Sequence, residues 1–231
     1  MPKNALKPVA ATTNTTTKAA PARRAADVAY EAIENMISTL QLAPGSPVVE
    51  ADLVERTQLG RTPVREALLR MVSIGLVQQQ PRRGLTVSNI DLADHLDVIQ
   101  TRRVLECLLA SCSARRATAL QRQQIVAHAD QMRKAARKGD LADYMWADLM
   151  LDQVNHQASQ NHSAVKAVVP LVVQCRRFWF AYQHAGDIEE GAQAHWDLAQ
   201  GIGSGDSAAA VAGANRLADY LNAFARRVID D

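Results

Sequence analysis

Apolar residues recur with a helical period over most of the first 75 positions. Residues 25 to 40 carry them at intervals of three and four, residues 50 to 56 form a shorter amphipathic segment, and residues 61 to 75 repeat the pattern. The apolar stripe of this last segment comprises Val64, Leu68, Met71 and Val72. The pattern predicts three helices, the third with Thr62 as its N-cap and Pro63 in its first turn.

Strand-like runs follow these helices. Residues 76–80 and 85–88 flank Pro81-Arg-Arg-Gly84, which predicts a β-hairpin with a basic loop. Leu59-Gly60 separates the second and third helices by a tight turn, the usual arrangement in a helix-turn-helix. Three helices and a basic hairpin in this order predict a winged helix-turn-helix.

After Ser88 the pattern predicts helices alone. Asp91 or Asp94 suits the N-cap of the first, and Pro170 is expected to kink or divide the fourth. The six predicted helices cover about 91–116, 120–138, 141–160, 163–183, 188–202 and 207–229. The predicted fold class is therefore mainly α: a winged helix-turn-helix followed by an all-α helical bundle over residues 91–231.

Charge is distributed unevenly between these two parts. Residues 1–90 hold 11 Lys or Arg against 7 Asp or Glu, whereas residues 91–231 hold 15 against 17. Attraction to phosphate needs cations on the module that meets the nucleic acid, so the asymmetry favours double-stranded DNA as the partner of the first part. Residues 1–24 show no apolar period and are predicted to be a disordered tail.

The cysteines and the lengths of the apolar runs indicate the cellular compartment of the protein. Cys107, Cys112 and Cys175 lack metal-like spacing and favour a reducing compartment over a disulfide framework. No apolar run approaches the roughly 20 residues that a membrane span needs, and the N-terminus lacks an apolar signal region. The sequence predicts a cytoplasmic protein that does not enter a membrane.

Arginines at the start of the third helix are the candidate base readers. Arg61 and Arg65 could each donate two hydrogen bonds to guanine O6 and N7, and their charge attracts them to phosphate. Arg82 and Arg83 in the hairpin loop could reach a phosphate or the minor groove. Taken alone, the third helix could equally be an ordinary surface helix with solvated arginines. The elements before and after it favour DNA binding.

With these motifs, residues 25–88 resemble the DNA-binding domain of the GntR family of bacterial transcription regulators. The resemblance rests on Arg61-Thr-Pro-Val-Arg-Glu-Ala-Leu68, Gly75-Leu-Val77 and Arg83-Gly84. It implies that Arg61 and Arg65 contact bases. It also implies that Thr62 and Arg70 lie at or near the DNA backbone, and that Gly84 lets the wing loop approach the groove.

Two departures from that family concern the base sequence that is read. The family usually has Gly-Val-Ser-Arg at the turn, where this chain has Gln58-Leu-Gly-Arg61 and so lacks the hydroxyl. The preceding helix often has an arginine in the family, at the position of Ala51. The resemblance therefore implies DNA binding but leaves the operator sequence open.

One helix of the predicted bundle carries three polar residues on a single face. Asp148, Asp152 and His156 are spaced by four, and His195 follows on a later helix. Oxygen and imidazole ligands from two helices suit a divalent ion such as Zn, Ni or Mn. On spacing alone, the plainer alternative of an exposed polar helix face is favoured.

Residues 91–231 in turn resemble the FCD ligand-binding domain, in its shorter, VanR-like version with six helices. The matching residues are Arg102-Arg-Val-Leu-Glu106, Asp148-Leu-Met-Leu-Asp152, Ala158-Ser-Gln-Asn161, His195 and Gly205-Asp206. Many members bind a metal through one Asp and three His, and a small carboxylate effector completes the coordination shell. The resemblance thus implies a metal site and an acidic effector.

The register set by Asn161 and Gly205-Asp206 places the four metal positions at Asp148, Asp152, His195 and Leu217. The metal ligands predicted from it are Asp148, Asp152 and His195, because leucine cannot ligate. A second register takes Asp152 and His156 as the family's Asp-x-x-x-His pair, but it spoils the spacing to Asn161.

An acidic effector needs another cation if no metal is bound. Arg102, Arg176 and Arg177 are candidates, because a guanidinium can clamp a carboxylate with two hydrogen bonds. The aromatic run from Phe178 could bury the rest of the molecule, although core packing is the plainer role for it. The predicted effector is a small organic acid, and the residues predicted to bind it are Arg102, Asp148, Asp152, Arg176 and His195.

These inferences predict a homodimeric transcription regulator, a repressor whose binding to a palindromic operator is controlled by the effector. No catalytic residue is predicted. Two alternatives remain open from the sequence. One is an all-helical metal-dependent hydrolase that uses Asp148, Asp152 and His195, and the other is an architectural DNA-binding protein whose bundle serves only to dimerise.

Overall fold

A computed structural model describes residues 24–82, 84–184 and 187–230 of the chain. The predicted tail over residues 1–24 lies outside these ranges except for Arg24, and Arg83 also lies outside them. The described chain is mainly helical, with a small sheet near its N-terminus, which confirms the predicted fold class.

The N-terminal part has the predicted winged helix-turn-helix, with one additional strand. Helices α1 (Ala25–Ser38), α2 (Glu50–Thr57) and α3 (Arg61–Ser73) precede the hairpin of β2 (Val77–Gln80) and β3 (Gly84–Val87). The expectation of a two-stranded hairpin was incomplete, because β1 (Pro47–Val48) pairs antiparallel with the other edge of β3. Two residues are too few to show a period.

Helix α3 begins earlier than the pattern predicted. Gly60 is its N-cap and Arg61 its first residue, so the prediction of Thr62 as N-cap was wrong. Pro63 still lies in the first turn, where its missing N–H would have no partner within the helix. After the helix, Gly75 adopts the left-handed backbone conformation (φ +76°), as expected for its terminating turn.

The rest of the described chain forms the six predicted helices. They are α4 (Leu92–Arg116), α5 (Ala119–Lys138), α6 (Leu141–Ser159), α7 (His162–Tyr182), α8 (Asp187–Ser204) and α9 (Ser207–Asp230). Helix α7 continues through Pro170, so this proline does not divide it. No helix in the described ranges combines the length and apolarity needed to cross a membrane.

Helix α7 joins the two parts. Val173 belongs to the apolar core of the N-terminal part, although it lies in the helical bundle. One turn further along α7, Arg177 donates hydrogen bonds to the carbonyl oxygens of Ser88 (2.9 Å) and Asn89 (2.8 Å) in the connecting segment. The connection is thus held by both packing and hydrogen bonds.

His95 of α4 contributes a pH-dependent term to stability. It is buried and stacks on Phe178 of α7 with 3.7 Å between ring centroids. Burial, together with the charges of Arg102 and Arg177, lowers its pKa to about 4. Because the folded state favours neutral His95, its contribution is complete above the unfolded pKa of about 6.5 and is lost as the pH falls through 4.

We therefore expect the free energy of unfolding to fall by up to about 3 kcal/mol between pH 6.5 and 4 through this residue alone. Urea unfolding of the wild type and His95→Gln across that range isolates the term, because other titrating groups are common to both. His162→Gln, at an exposed histidine of α7, is the matched control. An identical pH dependence in the wild type and His95→Gln would contradict this assignment.

Candidate functional site

Helix α3 has an apolar back and a basic front. Val64 and Leu68 are buried in the N-terminal core, as the stripe predicted. Arg61, Thr62 and Arg65 are exposed at the start of the helix. The side chains predicted to read DNA are therefore available to a duplex.

The wing supplies a second exposed segment. Gln80 pairs with Gly84 across the hairpin. Arg82 is exposed and adopts a left-handed backbone conformation (φ +64°), as does Gly84 (φ +77°). Apart from its chain neighbours, no atom of the described residues lies within 4 Å of the position that a Cβ on Gly84 would take, so its backbone is open to approach. The predicted contact of Arg83 concerns a residue outside the described ranges.

Arg70 lies in a different environment from the other predicted DNA contacts. It is nine residues beyond Arg61, about 13 Å further along the helix axis. Its guanidinium donates a hydrogen bond to Asp27 (2.9 Å) and stacks over the ring of Tyr30 at 4.2 Å, both on α1. Its side chain is 48% exposed, so it remains available to a ligand on that side.

The helical part contains a buried ion cluster centred on Arg176 of α7. The guanidinium donates hydrogen bonds to Asp148 (2.5 Å) and Asp152 (2.7 Å), both on α6. It also donates one to Glu34 of α1 (3.0 Å). All four residues are at least nine-tenths buried. Arg176 therefore links two carboxylates of the bundle to one from the N-terminal part.

His195 of α8 extends this cluster. Its Nε2 lies 3.1 Å from Asp148, and its Nδ1 lies 2.7 Å from the carbonyl oxygen of Gly191. Burial opposes the charged ring, but the hydrogen bond and the charge of Asp148 raise the pKa of His195 above its usual value. The structure thus brings together Asp148, Asp152, Arg176 and His195. The favoured alternative of an exposed helix face does not hold for these aspartates.

The carboxyl groups of the cluster differ in their ionisation. Burial works against ionised Asp148, but Arg176 and His195 together hold its pKa well below the usual range. Burial and the neighbouring charge of Asp148 instead raise the pKa of Asp152. Burial raises the pKa of Glu34 to about 7, despite its ion pair with Arg176. Burial is the largest cause of both raised pKa values, so Asp152 and Glu34 give up ionisation more readily than Asp148.

The four metal positions of the FCD pattern do not fit a metal ion in this arrangement. The guanidinium of Arg176 occupies the space between Asp148 and Asp152, where a shared cation would lie. Leu217 is buried and has no ligand atom. The acidic and imidazole groups thus lie together, but the cation between the two aspartates is the guanidinium of Arg176.

The cavity beside the predicted effector residues is very small. Arg102, Asp148, Arg176 and His195 line a space of about 30 Å³ inside the bundle, roughly the volume of one water molecule. Arg102 is buried and donates a hydrogen bond to Glu106 (3.3 Å). In this arrangement the cavity is too small for an organic acid, and Arg102 and Arg176 are already paired with carboxylates.

A larger cleft lies between the N-terminal part and the bundle. Its volume is about 600 Å³, within the range of about 300–1,000 Å³ that is usual for small-molecule sites. Its lining includes Tyr30, Glu34 and Arg70 from one side and Asp152, His156 and Arg176 from the other. A ligand in this cleft would touch both α3 and the buried ion cluster.

Two members of the site were not predicted from the sequence. Glu34 lies four residues after Tyr30 and three before Ile37, so its place on the buried side of α1 was readable from the helical period. Glu106 lies four residues after Arg102, a spacing that brings the two together on one helix face. A carboxylate at a buried helical position was the available signal in both.

Comparison with known proteins agrees with both parts of this description. Residues 25–87 match the model of "Bacterial regulatory proteins, gntR family", and residues 97–219 match that of the "FCD domain". A relative in Escherichia coli K12, the "HTH-type transcriptional repressor RspR", is 27% identical over 170 residues, covering 73% of this chain and 75% of that protein.

Solved structures show the same fold. E. coli McbR/YncC superposes with a TM-score of 0.74 over 90% of this chain and 99% of that one, at 17% identity. A putative transcriptional regulator GntR from Rhodococcus sp. RHA1 gives a TM-score of 0.64 over 89% and 97%, at 15% identity. The arrangement of a small winged part before a helical bundle is shared with both.

Proposed function

Because this chain belongs to the GntR family of transcription regulators and carries an FCD domain behind its helix-turn-helix, we propose that it is a homodimeric, effector-controlled repressor acting in the cytoplasm. The matched families and relatives are regulators and not enzymes. They give no support to the alternative of a metal-dependent hydrolase.

One observation supports the DNA-binding role most directly: Arg61, Thr62 and Arg65 are exposed at the start of α3, while the opposite face of that helix is buried. A helix of this form enters the major groove with its N-terminal residues on the base edges. Arg82 and Gly84 in the wing would lie over the backbone or the adjacent groove.

In the proposed homodimer, the two winged domains read the two halves of an operator with two-fold symmetry. Val104 and Leu108 of α4 lie one turn apart and are 70% and 45% exposed. An exposed apolar pair on a helix of the bundle suits contact with a second copy. The partner DNA would then be a palindromic operator.

We place the organic-acid effector in the cleft of about 600 Å³ and assign its carboxylate to Arg70. That guanidinium is half exposed, lies on α3 itself, and is paired with the carboxylate of Asp27. An effector that takes Arg70 would also compete with the phosphate contact predicted for it. Arg102 and Arg176 are less suitable, because both are buried and already paired.

Control follows from the position of the cleft. A ligand shifts the relative arrangement of α3 and the bundle only as far as it binds one arrangement better than another. Arg176 and Glu34 form the joint that such a shift would strain or relax. In this proposal the cation at Asp148, Asp152 and His195 is Arg176 and not a metal ion.

A thermal-shift screen of small mono- and dicarboxylic acids tests the effector. A ligand at a hundred times its Kd stabilises the folded state by about 2.7 kcal/mol, roughly 5–10 °C for a chain of this size. We expect Arg70→Gln to abolish the shift, and Arg226→Gln, at an exposed arginine of α9, to keep it. If the melting temperature of Arg70→Gln still rises with the acid, the effector binds at another site. No shift with any acid would favour the architectural alternative.

A further inference from the structure

The cleft between the N-terminal part and the bundle has an acidic lining. Its carboxyl groups are those of Asp27, Glu31, Glu34 and Asp152. The first three are four and three residues apart on α1, so they share one face of that helix over about 10 Å. Among the described residues that line the cleft, the guanidinium groups are those of Arg70 and Arg176. Acidic groups therefore outnumber basic groups in the lining.

The two guanidinium groups differ in their availability to a ligand. Arg176 is buried, and its charge is already shared among three carboxylates, one of them that of Glu34. Arg70 pairs with Asp27 at the other end of the acidic face, and its side chain is 48% exposed. A ligand carboxylate entering the cleft would therefore bind Arg70.

A carboxylate on Arg70 needs a positive charge beside it. Asp27 already accepts a hydrogen bond of 2.9 Å from that guanidinium, so a second carboxylate leaves an excess negative charge there. Glu31, one turn further along α1, adds to the repulsion. An ammonium on the carbon next to the ligand carboxylate would lie against Glu31 and balance this charge. Each carboxylate oxygen has two lone pairs, so Glu31 can accept from an ammonium in addition to any partner within the protein.

The cleft also contains an aliphatic patch. Leu149 of α6 and Val169, Val172 and Val173 of α7 line it. The valines are spaced by three and four residues or less, which places them on one side of α7. Apolar lining with a few polar groups is usual for small-molecule sites, where it buries the apolar part of the ligand. The patch favours a ligand that carries a hydrocarbon group.

We propose that the cleft binds an α-amino acid with an apolar side chain. The carboxylate pairs with Arg70, the ammonium with Glu31, and the side chain packs on the aliphatic patch. This assignment rests on the effector site proposed above and specifies its ligand class. A dicarboxylic acid is a poorer fit, because its second negative charge would meet the remaining acids and not a free guanidinium.

Calorimetry on the full-length protein without DNA tests this ligand class. The probes are L-valine, L-leucine, L-isoleucine, L-methionine and L-phenylalanine, each with the 2-hydroxy acid and the primary amine of the same side chain. Each analogue lacks one of the two charges. A hydrogen bond to a charged group is typically worth about 10–100-fold in Kd. We expect at least one amino acid to bind, and both of its analogues to bind at least about tenfold more weakly.

Glu31→Gln tests the ammonium contact separately. The variant should bind the amino acid at least about tenfold more weakly than the wild type does, and should bind the matched 2-hydroxy acid at least as well. This change of preference distinguishes a ligand contact from general damage to the fold, which would weaken both. Glu55→Gln, at an exposed glutamate of α2 outside the cleft, should keep the wild-type preference.

The outcomes separate this inference from the effector site itself. If the 2-hydroxy acids bind as tightly as the amino acids, or if other carboxylic acids bind through Arg70 and amino acids do not, the site stands and the assigned ligand class is wrong. An unchanged preference in folded Glu31→Gln would also overturn the inference. If neither amino acids nor any other carboxylic acid binds, the proposed effector site fails with it.

Discussion

Replacing Arg176 with methionine is expected to lower the free energy of unfolding by about 3–5 kcal/mol. The substitution keeps the length and volume of the apolar stem but leaves Glu34, Asp148 and Asp152 buried around a missing cation. Removing one partner from a buried ion cluster is costly because the remaining charges can neither ionise freely nor reach water. Urea unfolding at neutral pH, followed by circular dichroism, measures this loss.

The control is Arg226→Met, which changes the same residue type at an exposed position of α9 and should alter stability by less than about 0.5 kcal/mol. Adding Asp152→Asn to Arg176→Met should recover part of the loss, because it removes one of the stranded carboxylates. If Arg176→Met is as stable as Arg226→Met, the ion cluster does not hold the two parts together as described.

Arg61→Ala and Arg65→Ala are each expected to weaken binding to a specific operator by about 1–3 kcal/mol, roughly 5–150-fold in Kd. Both side chains are exposed at the start of α3, where a bidentate contact with guanine is geometrically open. Because the contact is to a base, binding to unrelated DNA should change much less. Fluorescence anisotropy with a duplex selected by the wild type, and with a scrambled duplex, measures both.

Arg226→Ala serves as the control for loss of one positive charge far from α3 in the chain. It should bind both duplexes as the wild type does. A wild-type Kd for the selected duplex in both Arg61→Ala and Arg65→Ala would reject their role as base readers. An equal loss on the scrambled duplex would instead assign them to phosphate contacts.

The parts that could be predicted from the sequence depend on local patterns. The helical period, Gly60 before α3 and the basic hairpin loop all act within a few residues, and they predicted the winged part and the six helices. The exposed arginines of α3 follow from the same period, because its apolar stripe leaves one face for solvent. Strand β1 was not predicted, because two residues carry no periodic signal.

The ion pairs of the cluster could not be predicted, because they join residues far apart in the chain. Four of its residues were expected in one site, but as ligands of a metal or an effector and not as partners of one another. Arg176 lies 24 and 28 positions from its two aspartates and 142 positions from Glu34. Spacing within α6 showed that Asp148 and Asp152 share a face, but not that an arginine of α7 lies between them. The organic acid expected at Arg102 likewise depended on a cavity whose size only tertiary packing determines.

The most direct test of the whole account is selection of bound duplexes from a random DNA library by the full-length protein. The account predicts enrichment of one sequence with two-fold symmetry, because two copies of α3 would read equivalent half-sites. Absence of any enriched sequence would contradict it, and so would an enriched site that lacks two-fold symmetry.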